Sequence, residues 1–163
     1  MPPRPIPVAV TLTVNGLATP LALEPTRSLL SVLRTELGLT GAKEGCDDSE
    51  CGACMVLLDG RPVNSCSFLA VQADGAAITT VEGLGTPARL APLQQALLEA
   101  GGVQCGFCTP GVLISATALL DANPSPSEAE VREALAGNLC RCTGYQRIVD
   151  GVLAAAAGGA AGA

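Results

Sequence analysis

The stretch CDDSECGACMVLLDGRPVNSC, residues 46–66, places four of the chain's eight cysteines in one short segment. Cys46, Cys51 and Cys54 follow the spacing C-x4-C-x2-C, and Cys66 comes after a turn at Asp59-Gly60. Thiols in this arrangement could close disulfides, hold zinc, hold an iron–sulfur cluster, or hold nothing. Zinc sites usually pair C-x2-C with a second such pair from elsewhere. Three thiolates from one loop and a fourth from a neighbouring hairpin are instead the plant-type spacing for a [2Fe–2S] cluster. A thiolate-bound two-iron cluster is anionic, so the loop must wrap it and aim amide N–H groups at sulfur. Gly45 and Gly52 let the backbone come that close, and Ala53 is nearly as small.

Composition narrows the chemistry further. The 163 residues suffice for one domain or two small ones with buried cores. Charged residues make up 15%, against about 25% in an ordinary soluble domain, which points to a surface covered by partners. A net charge of −6 leaves no basic patch to replace counterions on nucleic acid. Histidine is absent, and with it the commonest general base and metal ligand. Met1 leads into PPRPIP without the features of a secretory signal, so a cytoplasmic chain with reduced thiols is expected and a disulfide framework is not. The uncharged stretch over residues 103–120 reaches the lower limit for a membrane span. Gln104, two cysteines, Thr109, Pro110 and Gly111 in its first half argue against one.

Periodicity divides the chain into two units, 1–82 and 83–163. Val8, Val10, Leu12 and Val14 alternate with small or polar residues, Asn15-Gly16 supplies a hairpin turn, and the alternation continues through Leu23. Ser28 introduces a helix that Gly38 ends, MVLLDGRPVNS forms a second hairpin, and ITTV (78–81) is a last strand. This describes an α+β sheet domain with one helix across it. After the linker GLGTPARLAP the period becomes helical, with helices expected near 89–100, 111–122, 127–136 and 145–156. Ser127 and Glu130 form a capping box for the third. Four short helices make a small bundle. MPPRPIP and the Gly/Ala-rich tail from Ala154 read as frayed ends.

The other four cysteines lie in QCGFCTPG (104–111) and NLCRCTGY (138–145). Cys105 and Cys108 are separated by two residues, and Cys140 and Cys142 flank Arg141. Spacing alone admits a zinc clasp pinning two helical hairpins. Each pair, however, immediately precedes an expected helix, whose positive N-terminal end favours an anionic cluster. Arg141 adds to that field or is a solvated surface charge. Phe107 is most simply packing, and Asp47, Asp48 and Glu50 either guide docking or keep the loop wet.

GCDDSECGAC, QCGFCTPG and GNLCRCTGY, in that order, resemble the iron–sulfur subunit of the molybdenum hydroxylases, the xanthine oxidase family. That family includes carbon monoxide dehydrogenase and bacterial aldehyde and isoquinoline oxidoreductases. The resemblance spans residues 8–152 and implies a plant-ferredoxin-like β-grasp domain followed by an all-α four-helix-bundle domain. Each would carry one [2Fe–2S] cluster, with Cys46, Cys51, Cys54 and Cys66 as metal ligands in the first and Cys105, Cys108, Cys140 and Cys142 in the second. The chain would then relay electrons singly between molybdopterin, as its cytosine dinucleotide, in a large partner subunit and FAD in a medium one. The assembly would be a heterotrimer or a pair of them. The resemblance places Gln104 and Cys142 at the pterin and implies no catalytic residue in this chain. Two positions depart from the family's pattern: Ser49 stands where Gly is common and Met55 where Thr is. A left-handed Ser49 would be strained. The competing readings are a free-standing two-cluster carrier and a zinc-stapled interaction module.

Overall fold

The computed structural model describes residues 5–159. Strands β1 (Val8–Val14) and β2 (Leu17–Leu23) pair antiparallel from Val14↔Leu17 to Val8↔Leu23. Asn15 and Gly16, with φ of 50° and 81°, make the left-handed turn that a two-residue hairpin requires. Strands β3 (Met55–Leu58) and β4 (Arg61–Asn64) repeat the device at Asp59 and Gly60. Strand β5 (Ala77–Thr79) lies parallel to β1 and antiparallel to β3, giving the order β2-β1-β5-β3-β4.

Helix α1 (Leu29–Thr35), capped by the Ser28 hydroxyl, covers this sheet with Leu29, Leu30, Val32 and Leu33. They pack with Val10, Leu12, Val14, Leu23, Val56 and Ile78 as one buried core. The period-two alternation of β1 explains its inner face, since Val10, Leu12 and Val14 are buried and their neighbours are not. Both sheet edges are blunted by proline. Val14↔Leu17 flanks the two-residue turn, so β2 turns the backbone groups of Ala18, Pro20 and Ala22 outward. Pro20 therefore deletes an outward N–H from one edge, and Pro62, opposite Leu57, does the same on the other.

A single helical turn, α2 (Val81–Leu84), begins the second half, followed by α3 (Pro92–Glu99), α4 (Thr109–Ala122), α5 (Glu128–Ala134) and α6 (Gln146–Ala157). The four longer helices enclose a second core of Leu93, Leu97, Val112, Leu113, Leu120, Val131, Ile148, Val149 and Val152. The Ser127–Glu130 capping box forms, with Ser127 N–H donating to Glu130 at 2.7 Å. At the joint, the Asn15 side chain bonds both Thr80 N–H and Thr80 Oγ1 at 2.9 Å. Glu82 accepts from Thr80 Oγ1 at 2.6 Å and from Gly41 N–H at 2.7 Å.

Several expected boundaries move. Helix α3 starts at Pro92, because Pro lacks the N–H an earlier turn would need and Gln94 Oε1 takes the Ala91 N–H instead. Strand β5 ends at Thr79, where Asn15 captures Thr80. The 3-10 turn Ala70–Ala73 and α2 carry no apolar period long enough to read. The tail does not fray at Ala154. Helix α6 continues to Ala157 with Ala155 buried, because alanine is the best helix former and this face packs on the core. Residues 1–4 of the N-terminal segment and 160–163 of the tail lie outside the described residues.

Leu12 is fully buried and Leu17 is 70% exposed, on paired strands. Thermal unfolding of Leu12→Ala should show a loss of about 2–5 kcal/mol. Leu17→Ala should stay within about 0.5 kcal/mol of the parent.

Candidate metal centres

The first centre sits between the loop after α1 and the β3–β4 hairpin. Asp47, Ser49 and Gly52 take φ of 57°, 68° and 69°. Left-handed residues alternating with ordinary ones turn successive N–H groups to one side, making a concavity suited to an anion. Cys51 N–H accordingly points at Cys46 Sγ, 3.4 Å away. Ser49 is thus left-handed without being glycine, at a cost of about 1–2 kcal/mol. Its carbonyl accepts from Asn64 at 3.0 Å and its hydroxyl meets Ser67, which hold it there. Cys54 and Cys66 are buried, whereas Cys46 and Cys51 are half-buried. A Cβ on Gly45 would lie 2.7 Å from Cys51 Sγ and 3.5 Å from the Phe107 ring. Phe107, 46% exposed, therefore overlies this loop from the other half of the molecule.

The second centre is built from the turn before α4 and the loop before α6. Cys108 is the N-cap residue of α4, with Pro110 in its first turn, and Tyr145 is the N-cap of α6. Both helix N-termini thus open on the site. Tyr145 has φ 69°, a left-handed placement that a tyrosine adopts only under constraint. Its hydroxyl accepts from Cys140 N–H at 2.7 Å and donates to the Asn138 carbonyl at 3.0 Å. Cys105 and Cys142 are exposed, with their sulfurs 3.6 Å apart, while Cys108 is buried and Cys140 half-buried. Gln104, Phe107, Leu139 and Arg141 are exposed around them.

The sulfurs come together two by two. Cys46 interacts with Cys51, Cys54 with Cys66, Cys108 with Cys140, and Cys105 with Cys142. Among the described residues no three Cys, Asp or Glu side chains converge as ligands of a single ion. A two-iron cluster takes two such pairs, each iron holding two thiolates. Two centres with inward amides and helix N-termini fit an anionic [2Fe–2S] group in each.

Burial sets the thiol chemistry. It pushes Cys54 up to about 11 and Cys108 to about 12, with the neighbouring Cys66 and Cys140 thiols pushing the same way. Burial also works against ionising Cys140. There the Thr143 hydroxyl 3.1 Å away, the N–H groups of Thr143 and Cys142, and the Cys108 thiol prevail, bringing it down to about 7. Asp48 pushes Cys46 up, but the N–H groups of Asp48 and Cys51 outweigh it and the thiol is lowered. Cluster insertion must therefore displace tightly held protons from Cys54 and Cys108.

Between the centres the halves meet at the backbone. Leu139 N–H donates to the Cys51 carbonyl at 2.9 Å, and Asn138 Nδ2 to the Gly52 carbonyl at 3.2 Å. A Cβ on Gly52 would lie 2.1 Å from the Gly137 carbonyl oxygen, so this glycine serves the contact between halves as well as the left-handed turn. Met55 faces the same contact, its sulfur 2.8 Å from the Ser115 hydroxyl. Asn138, Ser115 and Tyr145 escaped the sequence reading, because only the fold brings 52, 115 and 138 together.

Comparison with known proteins agrees with this architecture. Residues 12–80 match the 2Fe-2S iron-sulfur cluster binding domain family, and residues 80–153 the [2Fe-2S] binding domain family. The chain is 50% identical over 141 residues to the nicotinate dehydrogenase small FeS subunit of Eubacterium barkeri, covering 86% of this chain and 90% of that one. It is 53% identical over 146 residues to the nicotine 6-hydroxylase small subunit of Paenarthrobacter nicotinovorans, covering 90% and 88%. The fold superposes on quinoline 2-oxidoreductase from Pseudomonas putida 86 with TM-score 0.90 at 45% identity, over 94% of this chain and 96% of that one. Aldehyde oxidoreductase from Desulfovibrio gigas gives 0.89 at 49% identity, with 92% of this chain matching 17% of a much longer one. The chain belongs to the small [2Fe–2S] subunits of the molybdenum hydroxylases, the xanthine oxidase family. Within such complexes it is the electron-transfer subunit, with two [2Fe–2S]-binding domains.

In the cluster-free chain, alkylation by iodoacetamide followed by mass spectrometry should find Cys140 reacting as a thiolate, with a rate rising through about pH 7. Cys54 and Cys108 hold their protons up to about 11 and about 12, so both should stay unmodified at pH 8.

Proposed function

We propose that Cys46, Cys51, Cys54 and Cys66 hold one [2Fe–2S] cluster and Cys105, Cys108, Cys140 and Cys142 the other. In this reading the chain relays electrons between two partner subunits. Bound clusters would supply the reversible one-electron redox capacity of the relay. The observation that carries the reading is the two-by-two pairing of eight sulfurs at two places, with the exposed pair Cys105/Cys142 on one outer rim. The two-unit division belongs to the same reading, supported by the two separate cores, with the expected boundary at 82 and 83 falling inside α2, whose Val81 packs on the second core.

Each part of the chain has a role. Buried Cys54 and Cys108 anchor the clusters in dry surroundings, and the N–H groups of Cys51, Cys142 and Thr143 offset thiolate charge. Exposed Gln104 and Cys142 would meet molybdopterin, as the cytosine dinucleotide, in a large subunit. The apolar rim of Phe107 and Leu139, 46% and 58% exposed, would exclude water there. The first centre, edged by Asp47, Asp48 and Glu50, would face an FAD subunit. The relatives called caffeine dehydrogenase subunit gamma and 6-hydroxypseudooxynicotine dehydrogenase complex subunit beta support a multi-subunit assembly. No helix among the described residues is long and apolar enough to cross a membrane. A cytoplasmic setting suits eight unbridged cysteines.

Low-temperature EPR of the dithionite-reduced protein tests this. Two S = 1/2 signals of about one spin each are expected for two cysteine-ligated centres. Cys54→Ala should remove one signal and Cys108→Ala the other. A silent, colourless protein containing zinc would overturn the reading.

A further inference from the structure

Asn138 is 1% exposed and stands where three backbone segments meet at distances only glycine allows. A Cβ on Gly111 would lie 2.1 Å from the Gly52 carbonyl oxygen and 2.9 Å from Asn138 Nδ2. The Asn138 side chain ties these segments together. Its Nδ2 donates to the Gly52 carbonyl at 3.2 Å, and its Oδ1 accepts from the Ser115 hydroxyl of α4 at 2.6 Å. The partners dictate this orientation, since a carbonyl can only accept. The Asn138 carbonyl receives the Tyr145 hydroxyl, which in turn holds Cys140 N–H, and the next residue, Leu139, donates to the Cys51 carbonyl. One buried residue therefore grips the Cys51–Gly52 loop, helix α4 and the Cys140 loop. An aliphatic side chain would fill the volume without the desolvation penalty of an amide. What it could not do is fix the register of three backbone segments, which a fully satisfied buried network does.

We propose that Asn138 is a positioning residue for electron passage between the two centres, holding the Cys51 carbonyl against the Leu139–Cys140 segment. The proposal rests on reading the eight cysteines as cluster ligands. In the step it serves, one electron leaves the reduced cluster of one centre and enters the oxidised cluster of the other, with no bond or proton exchanged. Its rate falls exponentially with the separation that Asn138 holds.

The test uses the full chain with both clusters loaded. Three variants act on the contact by different chemistry: Asn138→Ala removes the grip, Gly111→Ala wedges it open, and Ser115→Ala removes only the hydroxyl that meets Asn138 Oδ1 and the Met55 sulfur. Iron content, both midpoint potentials, the spin–spin splitting with both clusters reduced, and the inter-cluster transfer rate after pulsed reduction are compared. Parent protein lacking two signals would defeat the ligand reading itself. Given two signals, Asn138→Ala and Gly111→Ala should retain iron and both signals while the splitting collapses and transfer slows at least severalfold. Ser115→Ala should shift both readouts less, in the same direction. Should Asn138→Ala and Gly111→Ala fail to load clusters, Ser115→Ala decides alone. Unchanged splitting and rate in the loaded variants, with only lowered melting temperature or iron content, would overturn the proposal.

Discussion

Backbone laid against backbone at Gly52, Gly111 and Gly137 is the constraint on which the relation between the two centres depends. The sheet domain and the helical bundle each bury their own core, so neither core sets where the other lies. The contact between them runs through the loop that carries Cys51 and the segment that precedes Cys140. A methyl group at Gly52 or Gly111 would push the halves apart by displacing a carbonyl rather than a pliable side chain. Dispersion and hydrogen bonding then act at short range, and Asn138 and Ser115 satisfy the polar atoms that the close approach strips of water.

The same loops meet the demands of an anionic ligand set. Four thiolates around two irons concentrate negative charge, and this chain has no histidine and few cations to offset it. Backbone dipoles take that role. Left-handed residues at 47, 49 and 52 turn amides inward at one centre, and the N-termini of α4 and α6 open on the other. Asp47, Ser49 and Tyr145 are held in backbone conformations that L-residues avoid, and two well-packed cores keep them there. Burial differs within each centre in the same sense, with one pair of cysteines deep and the other toward the surface. That asymmetry gives a relay an inside and an outside. In the relatives the same module occurs nearly alone as a small subunit and also as a fraction of a much longer chain, as in the Desulfovibrio gigas oxidoreductase. Such portability is expected of a unit with its own cores.

The sequence alone determined both hairpins, α1, the three later helices near their observed places, and the grouping of cysteines into two sets. These are local: Asn-Gly and Asp-Gly dictate two-residue turns, alternation dictates strand faces, and thiol spacing dictates what one loop can present. The alanines from 154 read both as the end of the helix expected over 145–156 and as a frayed tail, because a run of small residues looks the same whether it packs or not. Tertiary structure decided what distance in sequence conceals. It set which thiols pair, which thiols burial holds protonated, and why Gly52 must be glycine. It also brought Asn138 and Ser115 to a contact 86 and 63 residues from Gly52. The reason is physical: a hydrogen bond or a steric limit between segments exists only once both cores have formed and brought them into contact.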